Sequence, residues 1–159
     1  MGNTKKEQTT LTFQGDVDYI PAIRKFVAEF IEVCGFSPKF AYRTEIIIDE
    51  LCSNAISYGC TSTDSTIRLT CTIEDGKVEL VVQDPGGERQ DIDRLHKVVK
   101  EKTATENVDS EKKKRLGLEI VRMLSEKLDF QIDADNITSV RVTRKREDDS
   151  KINDNIIIS

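Results

Sequence analysis

Glu50 and Asn54 stand one helical turn apart in the run Arg43-Thr44-Glu45-Ile46-Ile47-Ile48-Asp49-Glu50-Leu51-Cys52-Ser53-Asn54-Ala55-Ile56-Ser57-Tyr58-Gly59. A carboxylate and a carboxamide at that spacing are neighbours on a helix surface. At a half-buried edge they could hold a metal ion and a reacting hydroxyl side by side, although the same spacing fits an ordinary helix flank. Further along, Asp84-Pro85-Gly86-Gly87 joins an acidic side chain to two glycines. Without Cβ atoms, Gly86 and Gly87 let backbone turn sharply or lie close under a flat ligand. Taken alone the tetrapeptide is also a common turn. A third cluster, Arg115-Leu116-Gly117-Leu118, follows Lys112-Lys113-Lys114 and opens an apolar helical stripe. The free N–H groups of a helix start attract anions, phosphate among them.

The elements that must position these groups are legible around them. Ser37 and Pro38 offer a hydroxyl N-cap and a proline at the first helical position. Gly59 offers a stop in the left-handed conformation. Between them Ile47, Ile48, Leu51, Cys52, Ala55 and Tyr58 share one broad face, with Glu50 and Asn54 at its border. Upstream, residues 9–13 read as a short strand and residues 17–33 as an amphipathic helix closed by Gly35. Downstream, Ile67, Leu69, Cys71 and Ile73 alternate with polar residues, Asp75-Gly76 signals a hairpin, and residues 78–83 return as a more apolar strand. That strand delivers Asp84 to its carboxyl end. Ile92, Leu95, Val98 and Val99 suggest a short helix carrying His96, whereas residues 101–114 have no apolar face and read as a mobile charged segment. Residues 116–127 read as a helix. Residues 130–134 and 139–143 read as strands joined at Asp135-Asn136. The sum is an α/β chain, a two-layer sandwich with helices on one face of a mixed, mainly antiparallel sheet.

Composition narrows the function classes. The 159 residues suit one domain, 1–159, with a core over about 8–145 and a charged tail over 146–159. That tail ends in Ile156-Ile157-Ile158, either a frayed end or a small docking patch. A net charge of −5 argues against direct nucleic-acid binding, which wants a basic field. No apolar run approaches the ~20 residues of a membrane span, and the first residues lack the hydrophobic core of a signal peptide. Cys34, Cys52, Cys60 and Cys71 form no C-x-x-C pair and His96 is the single histidine, which argues against zinc. Unpaired cysteines and the missing leader point to a reducing cytoplasm.

Glu50-x-x-x-Asn54-Ala55 ending in Tyr58-Gly59 resembles the N-box of the GHKL ATPases, the gyrase, Hsp90, histidine kinase and MutL superfamily. Asp84-Pro85-Gly86-Gly87 and Leu116-Gly117-Leu118-Glu119-Ile120-Val121 follow in the order of that superfamily's two glycine boxes. Within it, the short chain and its first strand and helix look most like the anti-sigma-factor serine/threonine kinases of RsbW type. The resemblance implies the Bergerat ATP-binding fold with a lid over about 88–115, and ATP with Mg²⁺ as cofactors. It implies that Asp84 accepts a hydrogen bond from the adenine amine, where guanine presents a carbonyl. Gly86 and Gly87 then lie under the base, Thr138 and Ser139 beside its water network, and Arg115, Gly117 and Leu118 at the phosphates. Asn54 becomes the Mg²⁺ ligand and Glu50 the base that takes the proton of a protein serine. The implied partners are an anti-anti-sigma (STAS-domain) protein as substrate and a sigma factor as the sequestered target, with a homodimer left open.

Two departures bear on activity. The family's patterns are D-x-G-x-G and G-x-G, and Glu88 and Arg115 replace a glycine in each. They favour an alternative, a non-catalytic ATP/ADP-dependent partner-switching module. A histidine-kinase catalytic domain ranks behind both, because no dimerisation helices accompany the single His96.

Overall fold

The computed structural model describes residues 5–60, 62, 64–86 and 109–146, with side chains given from residue 117 onward in the last stretch. Gly87, residues 88–108 of the lid expected over about 88–115, with the short helix expected around His96, and residues 147–159 lie outside the described residues, as does the Arg115 side chain.

Among the described residues five strands form one sheet in the order β1-β2-β3-β5-β4. They are β1 (Glu7–Gln14), β2 (Thr66–Glu74), β3 (Lys77–Asp84), β4 (Lys127–Ile132) and β5 (Thr138–Lys145). Every pairing among them is antiparallel. The α-helices among the described residues are α1 (Ile20–Val33), α2 (Pro38–Gly59) and α3 (Asp109–Leu124). The alternation seen in the sequence decides which face they cover. Ile67, Leu69 and Cys71 of β2, Val78, Leu80 and Val82 of β3 and Val142 of β5 are buried in one core with Val27, Ile31, Ile47, Ile48 and Val121 of the helices. The opposite face is polar: Gln8 Nε2 donates to Thr72 Oγ1 at 2.8 Å, and Arg141 pairs with Glu79 at 3.6 Å. This is the expected two-layer arrangement.

Local chemistry accounts for the boundaries. Ser37 Oγ accepts from Phe40 N at 3.1 Å and Pro38 opens α2, as the sequence anticipates. Asp75 and Gly76 both take positive φ, 55° and 72°, the requirement of a two-residue hairpin turn that matches strand twist. The first helix starts later than expected. Asp16 accepts from Asp18 N at 2.9 Å and sets a single 3₁₀ turn, Val17–Tyr19, before α1 proper.

Two expectations need correction. Gly59 ends α2 without left-handed geometry, for only Gly35, Gly76 and Gly86 have positive φ among the described glycines. Its role is spatial, as described below. The charged segment expected to be mobile over 101–114 is helical from Asp109, so Gly117 lies inside the 16-residue α3 and does not open it. Residues 111–115, Glu-Lys-Lys-Lys-Arg, are good helix formers, and a helix anchored by buried Leu118, Val121 and Leu124 extends through them without needing an apolar face.

Candidate functional site

The chemistry gathers where α2, the carboxyl end of β3 and α3 meet. α2 is the middle helix. On one side Arg24 of α1 donates to both carboxylate oxygens of Asp49 at 2.7 Å and lies 3.6 Å from Glu45. On the other side α3 packs so closely that a Cβ on Gly117 would overlap the Glu50 carboxylate. The glycine therefore has a steric purpose: any larger residue would displace the Glu50 head group. Glu50 is half-buried, and its carboxyl is raised above the usual range, first by desolvation and second by the neighbouring Asp49 charge. A raised carboxylate is a better proton acceptor, the property a general base needs. One turn on, Asn54 is only 4% exposed, and its Nδ2 has no hydrogen-bond partner among the described residues.

At the end of α2, a Cβ on Gly59 would overlap the carboxylate of Asp84. The helix thus ends on top of the last residue of β3, and only glycine leaves room for the acid. Asp84 is buried at 4% exposure, and desolvation lifts its pKa to about 6, partly offset by the Gly86 N–H that donates to Oδ1 at 2.8 Å. Across the β3–β5 pairing Asp84 faces Thr138, which is 2% exposed and whose hydroxyl also lacks a partner among the described residues. Gly86 has φ +73°, and a Cβ there would run into the carbonyl of Asn136. Asn136 in turn donates from Nδ2 to the Gly86 carbonyl at 3.3 Å. The turn between β4 and β5 therefore holds the loop after Asp84 in place.

Buried polar groups without partners are costly. Two of them, Asn54 and Thr138, stand with a desolvated acid at one end of a sheet and helix layer, as in a site shaped for a polar ligand. A nucleotide and its metal fit this donor set. Asp84 supplies an acceptor at a buried edge and Asn54 a carboxamide whose O and N ends are interchangeable by rotation, while Gly59 and Gly117 make room for the Asp84 and Glu50 carboxylates themselves. Mg²⁺ is commonly held by one or two protein oxygen ligands together with substrate phosphates and water, so the Asn54 carboxamide would hold it only jointly with the phosphates of a bound nucleotide.

Of the sequence-derived candidates, Glu50 meets Gly117, and Asp84 meets Gly86 and Thr138. Leu118 turns away from this contact and packs with Tyr58, Leu128 and Phe130. It reads as a wedge between α2 and β4. Gly87 and the side chain of Arg115 are outside the described residues. Sequence reasoning missed the clearance at Gly59 and the clamp made by Arg144. The Arg144 guanidinium donates to the carbonyls of Leu124 at 2.7 Å and Phe40 at 2.9 Å and to Thr44 Oγ1 at 2.8 Å. It lies 3.9 Å over the Phe40 ring and fixes the end of α3 to the start of α2. Continuing the alternation of Val140 and Val142 by one step would have pointed Arg144 inward.

The family profile described as "Histidine kinase-like ATPase domain" matches residues 13–144. No curated protein matches the chain in sequence. Among solved structures, the RsbU and RsbW domains of Rv1364c from Mycobacterium tuberculosis superpose with a TM-score of 0.59 at 15% identity, over 87% of this chain and 32% of that one. The SiaB–SiaC complex from Pseudomonas aeruginosa gives 0.66 at 16%, over 85% and 88%. The histidine kinase domain of the Erythrobacter litoralis EL346 blue-light activated histidine kinase gives 0.52 at 16%, over 86% and 63%. This chain thus spans about a third of the Rv1364c structure. At these identities the likeness is one of fold.

Proposed function

The chain belongs to the histidine kinase-like ATPase domain family, and from that premise we propose that it is an ATP-binding regulatory protein serine/threonine kinase of the anti-sigma-factor type. Its substrate is a serine or threonine on an anti-anti-sigma (STAS-domain) protein, and its second partner is a sigma factor that it sequesters. The observation that carries this reading is the seat of the Glu50 carboxylate against the α-carbon of Gly117. It joins the helix edge that would hold the reacting groups to the helix that would border the phosphates. The RsbW and SiaB–SiaC neighbours support the partner-switching part of the proposal.

In this reading Asp84 accepts from the adenine amine, and Thr138 adds a hydroxyl beside the base. Asn54 would hold Mg²⁺ through its carboxamide oxygen. Bound Mg²⁺-ATP supplies the γ-phosphoryl group and the charge neutralisation for its transfer. Glu50, raised by burial, accepts the proton of the incoming hydroxyl. Removing a general base typically lowers a rate by ~10²–10⁴-fold. Glu50→Gln is therefore expected to lower phosphate transfer to an anti-anti-sigma protein of the same cell by that factor, with ATP affinity nearly unchanged. Transfer at the wild-type rate would remove Glu50 from the mechanism. ATP binding by the wild type with no transfer to any such partner would favour the non-catalytic switch, to which Glu88 and Arg115 already lend support.

A further inference from the structure

α1 is amphipathic twice over. Its inner face carries Ile20, Val27 and Ile31 into the core, and Arg24 faces α2. At about 100° per residue, Tyr19, Ile23, Phe26, Phe30 and Val33 fall in a second stripe on the flank away from α2. Ile23 and Phe30 are partly packed on the core, whereas Phe26 is 47% and Val33 84% exposed. Beneath that flank runs β1, which pairs only with β2 among the described strands and presents an open edge. The contact between Cys34 Sγ and Glu7 Oε2, 3.1 Å, fixes the end of α1 over the start of β1. An apolar stripe beside an unpaired strand edge is a place where chain is added.

The described chain ends in the same corner. Arg146 N donates to the Gly76 carbonyl at 3.1 Å, and the Arg146 guanidinium lies 4.2 Å over Phe36 and reaches the Gly35 carbonyl at 3.5 Å. Residues 147–159 follow, Glu-Asp-Asp-Ser-Lys-Ile-Asn-Asp-Asn-Ile-Ile-Ile-Ser. From β5 to a position outside β1 is four strand spacings, about 19 Å. Six residues, 147–152, reach about 20 Å when extended. They begin with three acidic side chains and would pass Lys77 and then the exposed Lys5 and Lys6 ahead of β1. The stripe from Val33 to Tyr19 is about 21 Å long, and residues 152–158 span about 20 Å as a strand. Ile152 would then lie near Val33, and Ile156, Ile157 and Ile158 near Phe26 and Tyr19. Three consecutive β-branched residues favour strand pairing.

We infer that the α1 stripe and the free edge of β1 are the seat of this chain's own C-terminal segment, residues 152–158, laid parallel to β1. The segment covers apolar surface and closes an edge otherwise open to self-association. The test is amide hydrogen exchange on the full chain, on a chain ending at Arg146, and on a full chain with Val33→Lys, at two protein concentrations and without nucleotide. The amides of β1 that point away from β2 are expected to exchange at least tenfold more slowly in the full chain than in the truncated one. Val33→Lys, at a position too exposed to disturb the core, is expected to recover most of the fast exchange in the full chain and to change nothing in the truncated chain. Equal β1 exchange in full and truncated chains would overturn the inference. Protection that survives truncation and grows with concentration would also overturn it, and would assign the edge to a second copy.

Discussion

Replacing Asp84 with asparagine should make the ligand-free protein more stable. The carboxyl is raised from 3.8 to about 6, with desolvation as the main cause. A shift of about two units corresponds to ~3 kcal/mol of differential interaction between the protonation states. For an acid raised in the folded state, the folded protein binds more protons than the unfolded chain between the two pKa values. Stability therefore falls as pH rises from about 4 to about 6, and stays lower above that range. The substituted carboxamide would not titrate, and its oxygen can still accept from the Gly86 N–H. Asp84→Asn should match the wild type near pH 4 and exceed it by ~3 kcal/mol at pH 7–8. For a domain of this size, that is a rise of roughly 6–12 °C in Tm. Urea unfolding of both proteins across pH 4–8 measures the difference. A difference that is flat with pH, or an Asp84→Asn variant less stable than the wild type at pH 8, would refute the claim that a buried carboxylate, only partly offset by the Gly86 N–H, is held here for a ligand.

Two further substitutions separate geometry from stability. Gly117→Ala should leave Tm unchanged or raise it, since alanine favours helix by up to ~1 kcal/mol and the new Cβ meets only the movable head of Glu50. Phosphate transfer should fall at least tenfold, and a variant that keeps full transfer would show that the close approach is incidental. Arg144→Met should cost about 3 kcal/mol in urea unfolding, because buried backbone carbonyls lose a charged donor. A loss below ~1 kcal/mol would show that the clamp contributes little.

The parts of this molecule written locally were legible in its sequence. Ser37-Pro38 specifies a cap, Asp75-Gly76 a hairpin, and the alternation of β2 and β3 a single covered face. Each depends on neighbours a few residues away. Asp84 was legible because a strand pattern ended on it. The contact of Glu50 with Gly117 was not, because two helices far apart in sequence make it and neither stripe records which residue will touch. Gly59 misled for a related reason: a glycine at a helix end usually serves φ, and here it makes space for Asp84. The helical start of α3 was missed because its first residues carry propensity without periodicity. Arg144 lies one step beyond the strand that the sequence suggests over 139–143, and the inward pattern of β5 continues through it.

The most direct measurement is calorimetric titration of the protein with ATP and with GTP in the presence of Mg²⁺. It tests the proposed adenine site without a partner protein. If Asp84 reads the exocyclic amine and Asn54 serves the metal, ATP should bind and GTP should not. Asp84→Asn should then weaken ATP by the ~1–3 kcal/mol of a compromised buried acceptor. Failure to bind ATP, or equal affinity for ATP and GTP, would contradict the assignment of this site.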